Sequence, residues 1–217
     1  MTQNDTESAL HELYAAYVGG SLSYPAQVLV NAHLELNPQR RALVDAMQAE
    51  AGSLLEEMPS MPLSGSAAAR IEAIVSAPVS APVSRQPQPA DPVFPPALRA
   101  FAGFSASATP WKTKLPGFKE HAFGEIEGCD TSLLWVRPGR AMPHHTHEGS
   151  ELTLLLSGSY TDVTGRYARG DLAVADGSID HRPIAGTEEP CICFTVVQGK
   201  LQLSGSLLRR LGDILGT

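Results

Sequence analysis

Cysteine is scarce in this chain: Cys129, Cys191 and Cys193 are the only three among 217 residues. So few, so unevenly placed, exclude a disulfide framework. Aromatic residues make up only 6% of the chain, and mean hydropathy is that of an ordinary globular protein. No apolar stretch approaches the roughly 18–20 residues that span a bilayer, so no membrane partner is expected. The opening Met1-Thr-Gln-Asn-Asp-Thr-Glu7 is polar and acidic, unlike a secretory signal. Together these features predict a cytoplasmic protein. Positive charge is also in deficit, with 16 Lys and Arg against 23 Asp and Glu and a net charge of −7. That balance argues against direct nucleic-acid binding, which requires a basic working face.

The acid is concentrated at one end. Up to Val75 there are nine carboxylates against three arginines, a net of −6. Such a surface serves solubility, or it matches a basic protein partner. Helical periodicity fills the same third. Thr6 can cap a helix to about Val18 with Leu10, Leu13, Tyr14 and Tyr17 on one face. Gly19-Gly20 ends it, and Pro25 opens a second helix to about Leu36 with Val28, Leu29, Ala32 and Leu36 inside. Asn37-Pro38, an N-cap followed by proline at the first position, starts a third helix to about Glu57. Leu43, Met47, Ala51, Leu54 and Leu55 share one of its sides. A shorter fourth helix spans Ser66 to Val75, carrying Ile71, Ile74 and Val75. So small a helical core is marginal, and is expected to lean on a partner or a metal.

Residues 76–95 repeat a Ser-Ala-Pro-Val unit and are proline-rich, which predicts a semi-rigid extended spacer. The chain therefore divides into a helical domain (1–75), a linker (76–95) and a second domain (96–217). In that last part the periodicity changes from 3.6 to 2. Ser132–Arg137, Leu152–Leu156, Tyr160–Val163, Leu172–Val174 and Ile192–Val197 are strand-like and separated by glycine turns. Short strands at this spacing predict a sandwich or barrel. The tail from Ser206 to Leu215 has a short helical pattern that could cover an open end. The fold class is α+β, a small helical bundle followed by a β-barrel.

Chemistry is concentrated between Gly139 and Gly158. His145 and His147 are two apart, so an extended strand points both imidazoles to one face. Glu151 then needs only a tight turn through Glu148-Gly149-Ser150 to reach the same point. Two imidazoles and a carboxylate suit Zn, Fe, Mn, Ni or Cu better than Ca or Mg. The run G-x5-H-x-H-x3-E-x6-G matches, without a gap, the first motif of the cupin family. Gly170-Asp171 followed by His181 resembles the second. The resemblance implies a jelly-roll barrel with one divalent transition metal held by His145, His147, Glu151 and His181, zinc first, with Fe, Mn or Ni as alternatives. His121 and His144 sit off the spacing, with His144 pointing out of the barrel. Cys191 and Cys193 share a strand face, where small buried hydrophobes are the commoner role, and redox activity or an outer part of the metal environment are the alternatives. Trp111 and Trp135 read as core.

An acidic helical domain, a Pro-rich linker and a cupin together resemble the ChrR-type anti-sigma factors. The similar runs are Leu13–Ser23, Val30–Asn37 and Gly52–Glu57, then Leu134–Gly139, Glu151–Leu154, Gly170–Leu172 and Cys191–Cys193. The resemblance implies a helical domain that sequesters an extracytoplasmic-function (ECF) sigma factor and a cupin required to sense singlet oxygen, with a cupin homodimer left open. One motif departs from that family. Its helical domain normally binds zinc through an early histidine and H-x3-C-x2-C, but the run here reads His33-Leu-Glu-Leu-Asn37-Pro-Gln-Arg40. The early histidine falls at Ser8, with His11 one turn on. Arg40 is a cation and Asn37 a weak ligand, so no zinc is expected there. Asn37 can instead cap the third helix, and Arg40 can pair with Glu12 or Glu35. The competing function is a cupin dioxygenase using Fe(II) on a small molecule such as a β-diketone. No acid, base or oxyanion group in the sequence commits the chain to that chemistry.

Overall fold

The computed structural model describes residues 3–78 and 90–204. The central Pro-rich repeat and the tail from Ser206 lie outside the described residues. Helix α1 (Gln3–Val18) begins before Thr6, and Leu10, Leu13 and Tyr14 are its buried stripe. Helix α2 (Tyr24–Leu36) follows, then α3 (Pro38–Glu56) and α4 (Ala67–Val75). Asn37 caps α3 as its sequence requires, its side-chain oxygen accepting from the Arg40 N–H at 3.2 Å.

Downstream, α5 (Pro96–Ala102) leads into eleven described strands: β1 (Lys112–Leu115), β2 (Phe118–Ile126), β3 (Cys129–Val136), β4 (His145–His147), β5 (Glu151–Ser157), β6 (Ser159–Thr161), β7 (Arg166–Ala168), β8 (Leu172–Ala175), β9 (Ile184–Ala185), β10 (Cys191–Gln198) and β11 (Leu201–Leu203). A six-stranded antiparallel sheet has the order β1-β2-β3-β10-β5-β8, facing smaller sheets β7-β6-β9 and β11-β4. This is the expected double-stranded barrel. The five strands read from the sequence are all present. The polar β1 and β2 had no apolar alternation to reveal them, since most of their residues are exposed or half-buried.

Strand pleat gives the large sheet two different faces. On β5, Glu151 and Leu155 point into the barrel, while Leu152, Leu154 and Leu156 point out; on β10, Cys191 and Cys193 point in, while Phe194 and Val196 point out. The outward set is not solvated. It forms one core with Tyr14, Leu29, Val30, Leu34 and Leu98 from α1, α2 and α5. The helices therefore do not rely on a core of their own; α2 is buried on both sides because it lies between the helices and the sheet. Polar contacts fasten both ends of α2 to the barrel side. The Tyr24 N–H donates to Glu127 Oε2 (2.6 Å), and Glu35 Oε2 accepts from the Ala97 N–H (2.9 Å). Arg169 donates to the carbonyls of Val93 and Leu156, so the chain is already anchored to the barrel at Val93.

Arg40 differs from expectation. Its partner is Glu7, held by two hydrogen bonds at 2.9 and 2.6 Å, because the second turn of α1 lies beside the first turn of α3; Glu35 is occupied at α5. His33 is buried and bonded through both ring nitrogens. Nδ1–H donates to the Gly170 carbonyl (2.8 Å), which leaves Nε2 to accept from the Tyr14 hydroxyl (2.7 Å). Burial holds its pKa below the ordinary 6.5, with the Gly170 bond opposing and Arg40 reinforcing the shift. A lowered folded pKa means that the unfolded chain binds the extra proton first. The stability contributed by neutral His33 is then complete above about pH 6.5 and is lost as pH falls below it towards the lower folded pKa. Thermal midpoints measured from pH 7.5 down to 5 should fall less steeply for His33→Gln than for wild type; identical slopes would exclude this contribution.

The second half of α3, the connection after it and all of α4 lack such packing. Leu55 is 67% exposed, Met61 87% and Ile74 73%, and α4 buries none of its residues. No described helix is long and apolar enough to cross a membrane.

Candidate metal centre

His145, His147, Glu151 and His181 converge inside the barrel. All four are buried, and one ligand atom from each lies within 4.8 Å of the others. Thr146, between the two histidines, turns the other way and donates to the Gly177 carbonyl at 3.0 Å. His181 arrives on an isolated bridge to His145, with reciprocal backbone bonds of 3.1 and 3.0 Å. The turn from His147 to Glu151 is tight enough to require glycine: a Cβ on Gly149 would lie 2.5 Å from the Gln198 carbonyl oxygen. Gly177 is similarly constrained, 2.7 Å from the His147 carbonyl oxygen.

The donor atoms are aimed at one another rather than at protein partners. Glu151 Oε2 lies 2.9 Å from His147 Nε2 and 3.4 Å from His181 Nε2. Neither nitrogen makes a hydrogen bond of proper geometry among the described residues, though both are buried. Buried polar atoms are rarely left so, and a cation among them satisfies all of them together. Burial alone would raise the Glu151 carboxyl, but His147 and His181 outweigh it and hold it well below the usual carboxylate range. His145 is pushed down by burial, partly offset by its Nδ1–H donating to the Pro143 carbonyl at 2.7 Å. Burial would lower His181 as well, but Asp162 and Glu151 carry it up to about 9. Three imidazoles and one carboxylate in a buried cluster could hold a transition-metal ion.

Asp162 is the participant that sequence reasoning missed. Its Oδ2 accepts from His181 Nδ1–H at 2.9 Å, while its Oδ1 accepts from the Thr164 N–H and hydroxyl at 2.8 and 2.6 Å. Asp-x-Thr-Gly is a readable turn signal, but nothing local indicates that the second oxygen reaches a histidine nineteen residues away. The other candidates stay apart. His144 lies outside the cluster, 3.6 Å from Asp180, and His121 packs edge-on against Phe104 and Phe123. Trp111 packs against the core, and Trp135 is half-buried with the Lys119 ammonium over its ring. Cys191 and Cys193 are buried free thiols with their sulfurs 3.6 Å apart, lining a small cavity beside the cluster. A larger cavity of about 470 Å³ reaches His145 and Glu151 from the β1–β3 side.

Comparison with known proteins agrees with this architecture. Residues 101–202 match the family model described as the ChrR cupin-like domain. Over 195 residues the chain is 32% identical to the anti-sigma-E factor ChrR of Cereibacter sphaeroides, covering 90% of this chain and 91% of that protein. Among solved structures, the crystal structure of Rhodobacter sphaeroides SigE in complex with the anti-sigma ChrR is similar with a TM-score of 0.70 and 31% identity. That match covers 86% of this chain and 96% of the other. A likeness spanning both the helices and the barrel, at this identity, places the chain in the ChrR family of anti-sigma factors.

Proposed function

We propose that this chain is a cytoplasmic anti-sigma factor that sequesters an ECF sigma factor, and that its cupin holds one divalent transition metal through His145, His147, Glu151 and His181. Zinc is the first choice of metal, because the donor set suits it and a regulator needs no redox change at the ion itself. The metal's role would be to fix four side chains from β4, β5 and the His181 segment in one arrangement. The observation that carries the partner reading is the unpaired apolar surface from Leu54 through Val75, set in the acidic third of the chain. Its residues are exposed while the apolar faces of α1 and α2 are already packed in the shared core, so a partner can dock without unpacking that core. The relative's complex with SigE supports the same reading.

The barrel face explains how a signal could reach the helices. Glu151 begins β5, and Leu152, the next residue, packs outward in the core shared with α1 and α2. A shift of the carboxylate is therefore transmitted through the thickness of one strand. A dioxygenase is less well supported, since four polar side chains lining the larger cavity are already paired: Lys114 with Glu120 at 2.7 Å and Ser132 with Thr195 at 2.9 Å. Native mass spectrometry of the full chain co-expressed with its sigma factor tests the proposal. The expected species is a one-to-one complex carrying a single metal ion, and it should dissociate more readily as salt rises. Recovery of the chain without any sigma factor would refute the partner reading, and recovery without metal would refute the cupin site.

A further inference from the structure

We infer that Asp162 is a positioning residue for the metal centre, making His181 the anchoring ligand of the four. The inference rests on the metal reading above and goes beyond it by ranking the ligands. Each histidine's free ring nitrogen is set by what its other nitrogen does. His145 Nδ1–H donates to a neutral backbone carbonyl, and His147 Nδ1 has no hydrogen-bond partner among the described residues. His181 alone donates to a carboxylate. That carboxylate is shielded, its side chain only 2% exposed, so water does little to screen its charge.

Two consequences follow from this contact. A carbonyl or carboxylate can only accept, so Asp162 fixes the proton on Nδ1 and leaves Nε2 facing Glu151 as a lone-pair donor. The negative charge also makes that lone pair a stronger donor to a cation. Asp162 is itself held rigidly, its other oxygen bound by Thr164 and Gly165 in the turn after β6, with Thr164 in turn 2.9 Å from the Tyr167 hydroxyl. The network runs from Tyr167 through Thr164 and Asp162 to His181.

Two variants separate the electronic role from the turn. Asparagine supports the same Asx turn, but with its oxygen there it presents an NH2 to His181 Nδ1 and so favours the wrong tautomer. Asp162→Asn should therefore weaken zinc binding of the folded protein about 10- to 100-fold, read by competition with a chromophoric chelator. It should also alter the visible spectrum of the cobalt-loaded protein. Thr164→Val removes a turn contact but keeps the carboxylate, and should leave affinity within about threefold of wild type. Equal affinity in Asp162→Asn and wild type overturns the inference, as does an equal loss in both variants, which would make the turn alone responsible. Nitrogen-15 NMR of metal-loaded wild type needs no variant: a proton on His181 Nδ1 is expected, and one on Nε2 overturns the inference. Wild type that binds no zinc would overturn the metal reading itself and this inference with it.

Discussion

Phe194→Ala is expected to cost about 3–5 kcal/mol and to unfold helices and barrel together. Phe194 is fully buried on the outward face of β10, with ring centroids 5.7 Å from Phe101 of α5 and 6.2 Å from Phe123 of β2. It belongs to the same core as Leu29 and Leu34 of α2, so truncation opens a cavity at the junction of helices and sheet. The loss is a large part of a typical domain stability of about 5–15 kcal/mol. Because that core is continuous, the far-UV helical signal and tryptophan fluorescence should change in one transition, in wild type and variant alike. A separate early melting of the helical signal from α1 and α2 would contradict a shared core.

The sequence made local signals legible and left tertiary ones hidden. Asn37-Pro38 and the stripe Leu10, Leu13, Tyr14 identified their helices because capping and periodicity are local properties. His145, His147 and Glu151 were legible because a period-two strand and a tight turn determine where they point, whereas His181 was indicated only by resemblance to the second cupin motif. By contrast, nothing in the pattern of α2 indicates that a sheet covers its other side, so an independent helical core was the natural expectation. His33 read as the remnant of a metal motif, and only the fold brings it between Tyr14 and the Gly170 carbonyl. Asp162 and the pairing of Arg40 with Glu7 were hidden for the same reason: each depends on residues distant in sequence.

His181→Ala should abolish signalling while sparing repression. The substitution deletes one of four donors and leaves the buried Asp162 carboxylate without its imidazole. A metal present at a thousandfold excess over its Kd adds about 4 kcal/mol to stability, and the variant forfeits most of that gain. The barrel keeps its apolar core, Leu155 with Tyr160, Tyr167 and Cys193, so it should still fold at moderate temperature. The exposed surface on α3 and α4 is untouched, and the helices remain packed on Leu152 and Leu154. The variant is therefore expected to hold its sigma factor yet fail to release it.

The most direct test is sigma-dependent transcription, measured with and without singlet oxygen, for wild type and His181→Ala. Low basal transcription is expected with both proteins, and induction by singlet oxygen with wild type alone. Equal induction in the two would remove the metal centre from the signalling path.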